Sequence, residues 1–184
     1  MLLYKKIDKI HRLIISLKLV NSSRMIRKVN LEDASQIMNI YNYYVDHSIV
    51  TFDTEHAPLD EIQDKVQATM NLYPWIVYEV GGEILGYAYG SEWKAKDGYK
   101  HSVETTVYLK NGSIKKGLGT LLYQELINQL RELNFHALMG CITLPNEASI
   151  RLHEKFGFEK VGHFKEVGYK FDHWIDAGYW ELRI

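Results

Sequence analysis

The apolar positions of the chain recur with two periods, three to four residues where a helix is expected and two where a strand is expected. In residues 1–24, Ile7, Ile10, Leu13, Ile14 and Leu17 alternate with Lys5, Lys6, Lys9, Arg12 and Lys18, the pattern of a basic amphipathic helix. This segment reads as an N-terminal extension, with the domain proper over 25–184; a membrane-surface or partner-binding arm has the same pattern and stays open. Ile26 and Val29 predict a first strand. Leu31, Ala34, Ile37, Met38, Tyr41, Tyr44 and Val45 predict a helix after it, with Asn30 and Asp33 as caps.

The aromatic and β-branched runs Trp75 to Val80 and Ile84 to Tyr89, joined through Gly81-Gly82, predict an antiparallel hairpin. Val103 to Lys110 reads as a further strand. Leu118, Leu122, Leu126, Leu130 and Leu133 then mark a helix that stops at Asn134. A strand over Ala137 to Thr143 leads through Pro145-Asn146 to a helix from Glu147 to Phe156, ended by Gly157, and two strands follow. This order, without repeats, gives an α+β class and one domain.

Composition narrows the function. The 184 residues, 46% of them hydrophobic, suit one core. Twenty-two Lys and Arg against 23 Asp and Glu leave a net charge of -1, which argues against a nucleic-acid partner. The longest apolar stretch near the start, Leu13 to Val20, contains Ser16 and Lys18 and is too short to span a bilayer. Cys141 is the only cysteine, which excludes an internal disulfide and a multi-cysteine metal site and suits the cytoplasm. In its apolar strand it is expected to be buried as a small hydrophobe.

The chemistry-bearing stretch is Lys115-Lys116-Gly117-Leu118-Gly119-Thr120, lying between a strand and a helix. A helix N-terminus presents amides without intrahelical acceptors and the positive end of the macrodipole, and glycine lets a pyrophosphate approach the backbone. An ordinary glycine turn with a solvated lysine pair fits the string equally. A Walker loop does not, because no Gly-Lys-Ser/Thr follows.

In its context the string resembles the Q/R-x-x-G-x-G/A loop of the GNAT acetyltransferases, with Ile114 at the Gln or Arg position. Asn146-Glu147-Ala148-Ser149 through Phe156-Gly157-Phe158 resembles the same superfamily's second cofactor segment. Further motifs narrow the resemblance to the phosphinothricin and methionine sulfoximine acetyltransferases. They are Val50-Thr51-Phe52-Asp53, Tyr73-Pro74-Trp75, the loop from Gly90 to Tyr99, Glu104-Thr105-Thr106, Gly168-Tyr169-Lys170 and Trp174-Ile175-Asp176 through Trp180.

The resemblance implies a GNAT fold, a mixed and mostly antiparallel central sheet flanked by helices, and direct acetyl transfer from acetyl-CoA to a small amine. It implies Glu104 as general base, with His153 assisting proton transfer; Tyr169 is a further candidate, as proton donor to the departing thiolate. Val107, Tyr108 and Leu109 would run along the pantetheine arm, while Lys115, Lys116, Gly117, Leu118, Gly119, Thr120, Asn146 and Lys155 would hold the rest of the cofactor. Phe52, Lys94, Ala95, Lys96, Thr105 and Thr106, with Glu104, would contact the acceptor, and no metal is expected. A homodimer is expected by the same resemblance. Another small amine, a protein N-terminus, or a non-catalytic acyl-CoA-binding role remain alternatives.

Overall fold

A computed structural model describes residues 25–113 and 117–184; the predicted extension over 1–24, together with Lys115 and Lys116, lies outside the described residues. The first half contains β1 (Met25–Lys28), α1 (Ala34–His47), α2 (Leu59–Thr69), β2 (Trp75–Val80), β3 (Glu83–Glu92) and β4 (Ser102–Leu109). The second contains α3 (Leu118–Glu132), β5 (Ala137–Leu144), α4 (Glu147–Lys155), β6 (Glu159–Lys170) and β7 (His173–Arg183). Among the described residues the strands form one seven-stranded sheet in the order β1-β2-β3-β4-β5-β7-β6.

The predicted hairpin is present: β2 and β3 pair antiparallel across Gly81 and Gly82, whose positive φ values of 61° and 85° suit a tight turn. The helix over Leu118–Glu132 ends as expected, with Asn134 at φ 60°. Asn30 caps the turn before α1, accepting from the Asp33 amide at 3.1 Å while the Asp33 carboxylate accepts from the Asn30 amide at 2.9 Å. The periodicity reading did not include α2, which buries only Ile62 and Val66.

Both faces of β2 are covered, so its near-continuous apolar run carries two alternating sets of side chains. Ile76 and Tyr78 join Leu122, Tyr123, Leu126 and Leu130 of α3 in one core. Trp75 and Val77 join Ile37, Ile40, Ile62 and Val66 of α1 and α2 in the other. Burying each large apolar side chain on these faces contributes roughly 1.5–3 kcal/mol.

The sheet divides at its centre. Strands β4 and β5 are the parallel pair, and they are in register only over Ser102–Ala137, Val103–Leu138 and Glu104–Met139. Beyond this point they diverge, although β4 stays paired with β3 up to Leu109 and β5 with β7 up to Leu144. A buried relay closes the fork. Thr105 donates its hydroxyl to the Met139 carbonyl at 3.0 Å, which commits its proton, so the Tyr123 hydroxyl donates to Thr105 Oγ1 at 2.7 Å.

Candidate active site

The fork opens into a cavity of about 630 Å³. One wall is β4 from Glu104 to Leu109, whose backbone edge facing β5 is left without a ladder partner where the strands diverge. Gly117, Gly119 and Thr120 bring the N-terminus of α3 to the cavity. Gly117 is its cap at φ 72°, a left-handed conformation for which glycine is suited. Across from it, α4 contributes Asn146, His153 and Lys155, and Phe52 comes from the loop after α1. The structure thus gathers residues from four separate parts of the chain around one opening.

Leu118 is not among the lining residues, because its side chain turns into the α3 core. Lys94, Ala95 and Lys96 lie on the exposed loop beyond the Glu104 end. Lys94 stacks its ammonium 5.4 Å from the Trp93 ring centroid, and its charge is felt at Glu104. Tyr169 stands outside the cavity, exposed, with its hydroxyl 3.4 Å from Asp172 and its ring against Trp174.

Glu104 is partly buried, and that desolvation pushes its carboxyl above the ordinary carboxylate value, opposed by the charges of Lys94 and Lys65. Lys65, on the unpredicted helix α2, therefore adds a second positive charge near the same carboxylate. His153 is 4% exposed. Its Nδ1 lies 2.8 Å from the Ser149 carbonyl, an acceptor only, so Nδ1 carries the proton and Nε2 presents a lone pair. Burial pulls its pKa down, which keeps the ring neutral.

Cys141 differs from the sequence expectation: it is exposed and lines the cavity, because it lies past the last β4–β5 pair, where β5 keeps β7 on one side but has no β4 on the other. Although the residue is exposed at the cavity, the surrounding protein partly desolvates the sulfur and pushes the thiol up, against an opposing hydrogen bond from Tyr179. That hydrogen bond to Cys141, with burial, pushes Tyr179 up to about 12. A thiol held protonated is a poor nucleophile.

The cavity suits a long anionic thioester. The start of α3 offers amides to a pyrophosphate, with Arg151 and Lys155 lining the same space and Lys155 Nζ 3.4 Å from Thr120 Oγ1. The separated edge of β4 offers backbone groups to an extended amide-containing arm. Thr143 Oγ1 and His153 Nε2 are buried without hydrogen-bond partners among the described residues, yet both residues line the cavity. Trp75 Nε1 and Trp180 Nε1 are likewise unpartnered in the core, and of these four groups only those of Thr143 and His153 belong to residues beside the opening.

Thr143 was not singled out from the sequence, where a threonine in a strand carries no distinguishing signal. Replacing Thr143 by Val removes an unsatisfied hydroxyl at nearly constant volume. The free protein is expected to keep or slightly raise its melting temperature, while acetyl-CoA binding weakens roughly 5-fold to 10-fold, the worth of about one hydrogen bond. Thermal melts and an acetyl-CoA titration of the variant check both halves of this expectation.

Comparison with known proteins agrees with this geometry. The family model for the acetyltransferase (GNAT) domain matches residues 26–178. The chain is 36% identical over 156 residues to a phosphinothricin N-acetyltransferase of Streptomyces viridochromogenes, covering 85% of each protein. It is 33% identical to an L-methionine sulfoximine/L-methionine sulfone acetyltransferase of Salmonella typhimurium, covering 86% of this chain and 94% of that protein. A phosphinothricin acetyltransferase from Sinorhizobium meliloti, solved in complex with acetyl-CoA, superposes with a TM-score of 0.85 at 27% identity, over 88% of this chain and 89% of the other. With the family model spanning most of the sequence and relatives above 30% identity over more than four-fifths of it, the protein belongs to the GNAT acetyltransferases and transfers acetyl groups from acetyl-CoA to an amine.

Proposed function

We propose that the acceptor is a small amino-acid-like amine of the phosphinothricin or methionine sulfoximine type, and that Glu104 removes its proton. The observation that carries this reading is a partly buried carboxylate on the cavity wall, at the closed end of the fork, with its pKa pushed up by burial. An α-ammonium cannot attack a thioester until it loses a proton, and a base with a raised pKa takes that proton more readily.

The free amine then attacks the thioester carbon, and a backbone amide of the β4 edge stabilises the oxygen that becomes negative. The carbon–sulfur bond breaks, and the nitrogen's second proton passes to the departing sulfur, which leaves as the free thiol of coenzyme A while the first proton stays on Glu104. Thiolates are moderately stable anions, so this departure does not depend on the remote Tyr169. Transfer is direct, because Cys141, the cysteine that lines the cavity, is held as a thiol.

Lys94 supplies a point charge for the acceptor's carboxylate, with Ala95 and Lys96 on the same loop, while Phe52, Thr105 and Thr106 line the cavity wall. His153, neutral and with Nε2 enclosed against Gly140, supports the cavity wall between β5 and α4. The Gly117–Gly119–Thr120 turn, Asn146 and Lys155 hold the diphosphate end, with Val107, Tyr108 and Leu109 alongside the pantetheine arm.

The enzyme assembles as a homodimer in the cytoplasm. Its support is the β6–β7 arm, where Phe164, Val167, Tyr169, Phe171 and Trp174 are all exposed and β6 is, among the described residues, a sheet edge. The lone free cysteine suits a reducing compartment.

Release of free thiol from acetyl-CoA, measured against phosphinothricin, methionine sulfoximine, methionine sulfone, ordinary amino acids and polyamines, tests the acceptor class. Selective turnover of the first three is expected, at an eluted mass twice that of the chain. Turnover of unrelated amines alone overturns the acceptor assignment, and a monomer overturns the assembly.

A further inference from the structure

Gly168 and Lys170 belong to a motif whose tyrosine points away from the site, yet the two residues flanking that tyrosine both reach toward the cavity. Gly168 lies against the Phe52 ring so closely that a Cβ there would sit 2.6 Å from Phe52 Cδ1 and nearer still to Cε1 and Cζ. Real Cβ atoms do not approach carbon to that distance, so only glycine leaves the ring where it is. Lys170 is 3% exposed and donates from Nζ to the Thr51 carbonyl at 2.9 Å. A lysine ammonium is seldom buried without a specific partner, and here the partner is main chain rather than a carboxylate.

Thr51 and Phe52 are consecutive members of a short strap that follows α1. Val50, Thr51 and Phe52 all line the cavity. The strap's other attachments come from α1. The Tyr41 hydroxyl lies 2.9 Å from Thr51 Oγ1 and donates to the Asp53 carboxylate, while the Asp53 amide donates to Thr51 Oγ1 at 3.2 Å. Ser48 Oγ donates to the Tyr44 carbonyl at 3.1 Å and accepts from the Val50 amide at 3.3 Å. Thr51 is thus held by α1 at its hydroxyl and by β6 at its carbonyl, while Gly168 of β6 lies against the Phe52 ring beside it.

We propose that Gly168 and Lys170 are positioning residues that set the strap over the acceptor half of the cavity and thereby determine affinity for the amine, leaving the acetyl-CoA half untouched. The division follows from placement. Gly117, Gly119, Asn146 and Lys155, which serve the diphosphate end, come from α3 and α4 and make none of these contacts. Neither Gly168 nor Lys170 lines the cavity, so each acts through Phe52 or Thr51. The proposal rests on Phe52 facing the acceptor, as read above.

Gly168→Ala and Lys170→Met are the test, each compared with wild type in two-substrate kinetics and in hydrogen exchange of the Val50–Asp53 amides. Each variant is expected to raise KM for the amine about 10-fold, to leave KM for acetyl-CoA within 2-fold, and to speed exchange across the strap. Equal movement of both KM values, or unaltered exchange, overturns the proposal. A double-mutant cycle separates a steric role from general damage: in a Phe52→Leu background the ring is gone, so Gly168→Ala should change the amine KM less than 2-fold. A full effect of Gly168→Ala in that background also overturns it. Should Lys170→Met fail to fold, the Gly168 cycle alone decides. Should wild type turn over no amine, the acceptor assignment fails, while strap exchange still decides the positioning role.

Discussion

Glu104→Gln is expected to bind acetyl-CoA as wild type does and to lose about 100-fold or more of its turnover at neutral pH, the usual contribution of a positioned base. The substitution keeps the size and the pairing of β4 with Ser91 and Met139, so the fork stays closed and the cofactor walls remain. What is lost is a proton acceptor. In the wild type, activity should fall as pH drops through the Glu104 pKa, because protonation removes the base. Burial places that limb above the ordinary carboxylate value, with Lys94 and Lys65 limiting the rise. In the variant this limb disappears, and the rate instead climbs at alkaline pH as free amine becomes abundant. Full pH–rate profiles with a saturating acceptor measure the difference. Undiminished turnover near pH 7 would remove Glu104 from the base role.

Gly140→Ala carries the largest expected effect on stability. A Cβ at this position of β5 would stand 2.5 Å from His153 Cδ2 and closer to Nε2, against a ring that is itself buried. The ring cannot rotate away easily, because its Nδ1 is tied to the Ser149 carbonyl and its faces meet Tyr123 and Phe158 at centroid distances of 5.0 Å and 5.1 Å. Overpacking of this kind costs about 1–3 kcal/mol. For a chain of this length that corresponds to a fall in melting temperature of roughly 3–10 °C. Adding His153→Ala should restore part of the loss, since the second substitution opens the space that the first one overfills. Calorimetry on the two single variants and the double variant reads the coupling; simple additivity would mean that the overlap is relieved elsewhere.

Of the two residues in these predictions, Gly140 had no signal of its own within the predicted strand Ala137 to Thr143, whereas Glu104 did. Glu104 sits in a strand where alternation alone cannot separate a catalytic carboxylate from a solvated one, and the resemblance of Glu104-Thr105-Thr106 to a known family singled it out. The helices and the Gly81-Gly82 hairpin followed from periodicity and turn chemistry. Helix α2 carried its own signals, Pro58 at its start, Asp60 and Glu61 in its first turn, and the spacing of Ile62 and Val66, but so few apolar positions mark the helix weakly. Cys141 was placed on the correct strand with the wrong exposure. Strand periodicity reports alternation, whereas only the tertiary fork determines that β4 has left the strand's side at that point. The contacts of Gly168 and Lys170 with residues 51 and 52 span more than a hundred residues of sequence, a separation at which pattern reading has no reach.

The fork also divides the molecule mechanically. Among the described residues only three ladder pairs, with the Thr105–Met139 hydrogen bond beside them, join the β1–β4 half of the sheet to the β5–β7 half, and α3 packs beneath both. A ligand lying in the opening touches both halves at once and so acts as a missing strand. By linkage, acetyl-CoA at 100 times its dissociation constant stabilises the folded state by about 2.7 kcal/mol. That gain should appear at the seam: the slowest-exchanging amides of the two halves, free to open as separate units in the unliganded protein, should merge into one cooperative unit when the cofactor bridges them.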